Sequence, residues 1–382
     1  MSDTALVTMF GDVLVPNGTG APEMKATGTG TPGMGATGAM DSPTPDTDSP
    51  IRGTVLEDAG QTMLGIDPQR RLLLNAPVGW NLLQTAPAVY QLRDASGAIR
   101  SHAPDGSRDL IMERASWSEL VCLSLRRFPV IAPAQISPEP VPRLLHYICN
   151  DLATLDPAIT ANIERTARMN PGWSLRLWDE AARFDFISEH YGWDVLKIYL
   201  MIGGEYGAAK ADFFRYLLIY KLGGVYIDLK STTSRPLDEI IRSDDAYLIS
   251  QWNMSGSGLH KGWGIGASIA YVQGGEYQQW FLIARPGHPY LRRVIQLVMT
   301  KILTYRPEAH GVGMVTTFNI TGPHAYTKAI YPIRTAYPHR VFDAESEGLV
   351  YSVIEDHRAR SGSNYREART PIVTGNESYL LR

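Results

Sequence analysis

Two charged pairs stand close together near the middle of the chain. Asp212 and Arg215 lie three residues apart in AAKADFFRYLLIYKL, and Asp228 and Lys230 lie two apart where the following GGVYI ends. In a helix, residues at i and i+3 share one side; in an extended strand, residues at i and i+2 project to one face. The helical stretch around the first pair, with Phe213, Phe214, Leu217 and Ile219, has almost no polar face, as in a helix buried on all sides. Burying charge there costs on the order of several kcal/mol per ion unless the ions pair or meet a polar ligand. Two readings follow: an ion pair that fixes the helix against a sheet, or one wall of a ligand site. Asp212, Arg215, Tyr226, Asp228 and Lys230 converging on one crevice would supply the polar groups in an apolar setting that a ligand site requires.

The elements that must hold these groups are legible around them. The helix expected over 208–222 meets Gly223-Gly224, which stop it and turn the chain into the strand VYIDL. Upstream, RLLHYI reads as a buried strand, 159–169 as a helix, SLRLWD as a strand and 180–190 as a helix. This alternation predicts an α/β fold with a mostly parallel sheet and helices on both faces. Ligands in such sheets sit beyond the carboxyl ends of the strands. The proline-rich APAQISPEPVP, ending at Pro142, marks a boundary. Before it, residues 52–136 carry short apolar runs broken by turn residues, the pattern of a small strand-rich module. Residues 1–51, rich in Gly, Thr, Ala and Pro, cannot bury enough apolar area to offset their ordering and are expected to be disordered. Residues 141–382 form the expected catalytic domain.

Composition narrows the classes. With 382 residues, 44% hydrophobic and 20% charged, the chain has the makeup of a globular protein. A formal net charge of −3 gives no electrostatic reason to expect nucleic acid. Two cysteines, Cys122 and Cys149, make neither a disulfide framework nor a metal-ligand spacing. No stretch approaches the roughly 18 apolar residues that span a bilayer, and the start has Asp3 and Asp12 but no basic residue before its apolar part. The expected location is cytoplasmic, with membrane contact only peripheral.

The order of motifs resembles the glycosyltransferases with a DXD sugar-binding region, glycosyltransferase family 32, which includes fungal initiating α-mannosyltransferases and, distantly, clostridial glucosylating toxins. PRLLHYI at 142–148, NPGWSLRLWD at 170–179, the A-x-x-A-D-x-x-R helix running into GGVYIDLK at 208–230, ARPGHPYL around 285–291 and NITGPHAYTKAI at 319–330 carry the likeness. It implies a nucleotide-diphospho-sugar transferase fold of the GT-A type, a nucleotide-sugar donor, a glycan, lipid-linked or protein acceptor, and transfer with retention. It also implies roles: His146, Tyr147 and Ile148 beside the nucleotide base, Asp212 and Arg215 on donor hydroxyls, Arg215 near the diphosphate, Tyr226 by the base or ribose, and Asp228 at the ribose and metal shell. Asp228, Lys230 and Arg215 would be the catalytic set. Plainer readings stand beside these: His146 satisfying a strand end, Tyr226 as core, and Trp173 and Trp178 as packing.

One residue departs from the family pattern. Lys230 replaces the second Asp of DXD, the residue that ligates a divalent cation, Mn²⁺ or Mg²⁺, in the family. An ammonium offers donors only, so Lys230 either supplies the positive charge for the departing diphosphate itself or marks a site that binds without turnover. Asp228, His357 and Asp356 are the candidate metal ligands, with Glu355 adjacent. Near the end, SGSNY at 361–365 places Tyr365 where the family has a Trp. Gln278, Gln279 and His288 fall where acceptor contacts are expected. The readings from other classes are a non-catalytic sugar-nucleotide or glycan-binding protein and an effector that glycosylates a protein.

Overall fold

The computed structural model describes residues 128–255, 258–354 and 365–379 in full, together with the backbone of strands before residue 125. Those strands are β1 (Thr4–Thr8), β2 (Val13–Leu14), β3 (Leu64–Ile66), β4 (Leu72–Leu74), β5 (Asn81–Ala86), β6 (Val89–Arg93), β7 (Ile99–His102), β8 (Leu110–Met112) and β9 (Glu119–Ser124). They pair in the order β2-β1-β9-β6-β7-β8, with β5 on β6 and a separate β3–β4 hairpin. Two of them, β1 and β2, come from residues 1–51, which composition assigns to disorder. The short apolar run TALVT satisfies its backbone groups by pairing antiparallel with β9, so composition averaged over the segment misses it. The Gly/Thr/Pro-rich residues 17–50 lie outside the described residues.

Beyond the proline-rich boundary, β10 (Leu144–Ile148) leads to α1 (Pro157–Met169), β11 (Ser174–Trp178), α2 (Glu180–Leu200), α3 (Gly207–Leu222) and β12 (Gly224–Ile227). Asp156 caps α1 by accepting from the Ala158 N–H at 2.8 Å, with Pro157 in the first turn, and Asp179 caps α2 through Ala182 at 2.8 Å. The second helix continues past the expected end at His190, because Gly192 (φ 77°) kinks it rather than ending it. After β12 come β13 (Thr232–Thr233), α4 (Leu237–Ile240), β14 (Leu248–Ile249), β15 (Phe281–Ala284) and α5 (Pro289–Leu303). The chain then forms α6 (Pro307–His310), α7 (Gly313–Ile320), α8 (Pro323–Ile330), β16 (Arg340–Val341) and β17 (Leu349–Val350).

The central sheet runs β11-β10-β12-β15. β10 is parallel to both β11 and β12, and β15 joins antiparallel, giving a mostly parallel α/β sheet. Period-two alternation divides its side chains between two cores. Leu145, Tyr147, Val225, Ile227 and Ile283 pack with Ile159 and Ile163 of α1 and Leu237 of α4. Ile148, Tyr226 and Leu282 belong to the other core, with side chains of α2, α3, α5 and α8. Both faces of the sheet are therefore covered.

The turn between α3 and β12 is sterically closed to other residues. Gly223 (φ 66°) and Gly224 (φ 93°) sit in the left-handed region, and a Cβ on Gly224 would lie 2.6 Å from the Leu144 carbonyl oxygen. That close approach brings β12 alongside β10 and delivers Asp228 to the carboxyl end of the sheet. Among the described residues, no helix is long and apolar enough to cross a membrane.

Candidate active site

A cleft of about 1260 Å³ opens at this end of the sheet. Its lining includes Ile148, Asp212, Arg215, Tyr226, Asp228 and Lys230. Five of these are the residues that sequence spacing expects to converge, and they come from three directions: the middle of α3, the strand β12 and the loop after it.

Arg215 is the hub. One guanidinium nitrogen pairs with Asp212 Oδ1 at 2.9 Å, and another reaches Asp228 Oδ1 at 3.2 Å and donates to the Gln279 carbonyl at 2.7 Å. The guanidinium carbon also lies 4.5 Å from the Tyr226 ring centroid, a cation–π contact. Tyr226 donates its hydroxyl to Asp228 Oδ1 at 2.6 Å. Asp212 accepts from the Gln279 amide and the Thr321 hydroxyl, both at 3.1 Å. Tyr216 donates to the Thr321 carbonyl at 2.9 Å, which ties the end of α7 to α3. Burial pushes the Asp212 carboxyl above its ordinary value, and Arg215, Gln279 and Thr321 pull it back. Burial also opposes the charge of Arg215, but Tyr226, Asp212 and Asp228 outweigh it and hold the guanidinium above its ordinary value.

Asp228 is the first residue after β12. Its N–H bonds the Trp280 carbonyl at 2.8 Å, and its own carbonyl accepts from Ser231 at 2.8 Å. Asn162, on the buried face of α1, donates to the carbonyls of Leu229 at 3.0 Å and Ser231 at 2.9 Å, clamping the loop that carries Lys230. The Lys230 ammonium lies 4.6 Å from the Tyr351 ring centroid. Burial lowers its pKa, and the neighbouring Asp228 opposes that.

The β10 residues divide. Ile148 lines the cleft, while His146 and Tyr147 do not. Fully buried, His146 accepts from the Trp178 indole at 3.2 Å through Nδ1 and lies 3.2 Å from the Gly223 carbonyl through Nε2; burial takes its pKa down to about 4. Tyr147 packs in the core with α1, on the face away from Tyr226. Strand alternation turns Tyr147 to the opposite face, while His146 shares the face of Ile148 but sits two residues short of the open end of the sheet. Trp178 packs on Phe186 and Phe214, and Trp173 is buried with its indole on Asp238. Of the three expected acceptor-side residues, His288 is a buried cap of α5 outside the cleft, Gln279 holds Asp212, and Gln278 lines the cleft.

The described side chains do not by themselves assemble a cation site, and a divalent ion here would have to draw further oxygen ligands from the donor's phosphates. Asp228 Oδ1 is already engaged by Arg215 and Tyr226, Lys230 has no lone pair to give while protonated, and no group of three His, Cys, Asp or Glu side chains is positioned to hold a metal among the described residues. His357, Asp356 and Glu355 lie outside the described residues.

The residues not singled out from sequence are Asn162, Glu276 and Thr321. Asn162 carries a signal in retrospect, a polar residue in phase with Ile159, Ile163 and Thr166 on the buried face of α1. Thr321, the C-cap of α7, falls within the NITGPHAYTKAI motif, which does not say that its hydroxyl reaches Asp212, and Glu276, in the loop before β15, carries no signal.

Residues 158–247, which span α1 through the Arg215–Asp228 network, match the profile of the glycosyltransferase sugar-binding region containing DXD motif. The chain is similar to the initiation-specific alpha-1,6-mannosyltransferase of Candida albicans, 29% identical over 151 residues, covering 36% of this chain and 37% of the relative. It is also similar to inositol phosphoceramide mannosyltransferase 1 of Schizosaccharomyces pombe, 26% identical over 167 residues and covering 43% and 44% of the two chains. The putative glycosyltransferase HOC1 of Saccharomyces cerevisiae is 27% identical over 131 residues, covering 32% and 31%. The chain thus spans less than half the length of each of these relatives. A solved structure, PaToxG glycosyltransferase, aligns with a TM-score of 0.36 at 14% identity, over 53% of this chain and 74% of that one.

Proposed function

We propose that the chain transfers a hexosyl group, mannosyl by likeness to its relatives, from a nucleotide-sugar donor to an acceptor hydroxyl, with retention of the anomeric configuration. The observation that carries this is the Arg215 network on the cleft wall, bonded to Asp212 and Asp228 and held by Gln279 and Thr321. Such a network is preorganised: its groups are aligned by the protein before substrate arrives, so little reorganisation is needed when charge develops. Asp212 and Arg215 would hold donor hydroxyls. In the transfer, the bond between the anomeric carbon and the diphosphate oxygen breaks with its electron pair going to the diphosphate, and the acceptor oxygen forms the new bond and gives up its proton to the departing diphosphate or to solvent. Departure of the diphosphate needs most help, and positive charge from Arg215 and Lys230 would stabilise it.

In this reading Lys230 performs the charge neutralisation that a cation performs elsewhere in the family. Turnover of a sugar nucleotide should therefore persist in chelator, and strict dependence on added manganese would overturn the lysine's role. Lys230→Asp, which restores DXD, should in turn acquire metal dependence. A thermal-shift screen of sugar nucleotides with and without manganese tests the reading as a whole: stabilisation by at least one donor is expected, and stabilisation by none would overturn it. Lys230 also favours a second reading, a protein that binds the donor without turnover; hydrolysis or transfer by the purified protein would exclude that.

A further inference from the structure

A second polar cluster lines the same cleft beside the Arg215 network. Residues 276–278 run extended, with Tyr277 bridged to Gln251 and the Gln278 N–H on the Ser250 carbonyl at 2.8 Å. Tyr277 packs into the core, while Glu276 and Gln278, two apart, both line the cleft. Glu276 Oε1 accepts from the Trp252 indole at 2.8 Å, and its Oε2 lies 3.6 Å from His324 Nε2, beyond hydrogen-bond length. His324 is held from the other side by Ser268 at 3.0 Å. The loop over this cluster approaches through glycines: a Cβ on Gly264 would meet Trp252 at 2.4 Å and Glu276 at 2.8 Å, and one on Gly266 would meet His324 at 2.5 Å.

Gln278 is the exception in this well-bonded surrounding. The residue is 3% exposed, and neither its amide nitrogen nor its amide oxygen has a hydrogen-bond partner among the described residues. A buried amide left unpaired is destabilising, and such groups are few in folded proteins. The amide offers a donor and an acceptor on one planar group, which matches two neighbouring hydroxyls of a sugar or cyclitol. The Arg215 network is bonded within itself without using Gln278. The half-exposed Trp263, its ring centroid 5.5 Å from that of the buried Trp252, lines the cleft as well and offers aromatic surface to the apolar side of a sugar ring.

We propose that Gln278, with Glu276 beside it, is the hydroxyl-reading subsite for a polyol acceptor. The inference rests on the reading of this cleft as a glycosyl-transferring site, and it adds which side chains receive the acceptor. A polyol that supplies two hydroxyls pairs both ends of the amide, so the unpaired group of the free protein becomes a source of acceptor affinity and selectivity.

Gln278→Met tests this, because methionine has nearly the same length and no hydrogen-bonding amide. Free Gln278→Met protein should unfold about 2–4 °C higher than wild type, since an unpaired buried amide is replaced by an apolar group. Binding of methyl α-mannoside or myo-inositol, followed by ligand-observed NMR, should weaken at least about tenfold, and in transfer assays the acceptor KM should rise by a similar factor while the donor KM moves far less. A lowered unfolding temperature, no polyol binding by wild type, or polyol binding unchanged in the variant would each overturn the proposal. A parallel loss in donor KM and in donor-induced stabilisation would assign the amide to the donor sugar and overturn the acceptor assignment. Absence of stabilisation by any sugar nucleotide would defeat the transferase reading alone, since the unfolding and polyol-binding measurements need no donor.

Discussion

Arg215 contacts Asp212 one turn before it, Asp228 beyond the strand and the Gln279 carbonyl 64 residues downstream. A lysine at this position keeps the charge but loses the planar fork that serves three acceptors and the Tyr226 ring at once. Arg215→Lys should therefore lower kcat/KM by about a hundredfold or more with the fold retained, as steady-state kinetics and circular dichroism would report. Asp212→Ala removes the closest counter-ion of a buried guanidinium and should destabilise the protein by about 3–5 kcal/mol in chemical denaturation. Glu276 makes a pH prediction. Burial raises its carboxyl to about 7 from an ordinary 4.5. A carboxyl whose folded pKa is raised favours the fold while it is protonated, so stability is fully present below about pH 4.5 and is lost as pH rises through about 7. At roughly 1.4 kcal/mol per pKa unit the loss is a few kcal/mol at most. Glu276→Gln should flatten the stability profile over that window, and an unchanged slope would contradict the assignment. Asp212 and Arg215 were legible as a pair because charge in an all-apolar helix must be compensated; Glu276 was not, since one carboxylate among 39 acidic residues has no pattern to distinguish it.

At the scale of elements, the helices and strands near the site follow their sequence closely. α1, β11, α3 and β12 lie within about two residues of expectation because their periods, caps and glycines are local properties. The exception is α2, where Gly192 allows a kink and the helix resumes, an outcome decided by the packing of Val195, Leu196, Ile198 and Tyr199 into the core. Asn162 shows how one element positions another: α1 holds the loop after β12 through two carbonyls. Asn162→Ala leaves both carbonyls unpaired and should destabilise by about 1–3 kcal/mol. Because the same loop carries Lys230, turnover should fall more than this modest stability loss accounts for, a difference that activity assays well below the unfolding temperature would reveal.

Across the whole molecule, the last described segment closes the core. The Ile202–Val373 bridge and the bonds from Gly203 to Ile372 and from Thr374 to Met201 stitch it to the chain after α2. Asn376 donates to the carbonyls of Ile302, Leu303 and Tyr305, satisfying the end of α5. Asn376→Ala should therefore lower stability by about 1–3 kcal/mol while leaving the donor KM little changed, because these contacts lie away from the Arg215 network. The central sheet combines strands from residues 144 to 284, so the cleft exists only when distant segments are assembled. That is why the contacts of Thr321 and Gln279 with Asp212 cannot be read from the sequence around either residue.

The sequence by itself determined that a charged pair sits in a buried helix, that two glycines turn this helix into a short strand, and that Asp228 and Lys230 follow where a ligand could reach them. These are consequences of local period, steric permission at glycine and the cost of burying charge. The tertiary structure alone decided that Arg215 bonds both carboxylates, that Ile148 reaches the cleft while His146 and Tyr147 stay in the core, and that the Gln278 amide finds no partner there among the described residues. Those outcomes depend on which strand neighbours which and which loop folds over which wall, relations between residues tens to hundreds of positions apart that no local pattern encodes.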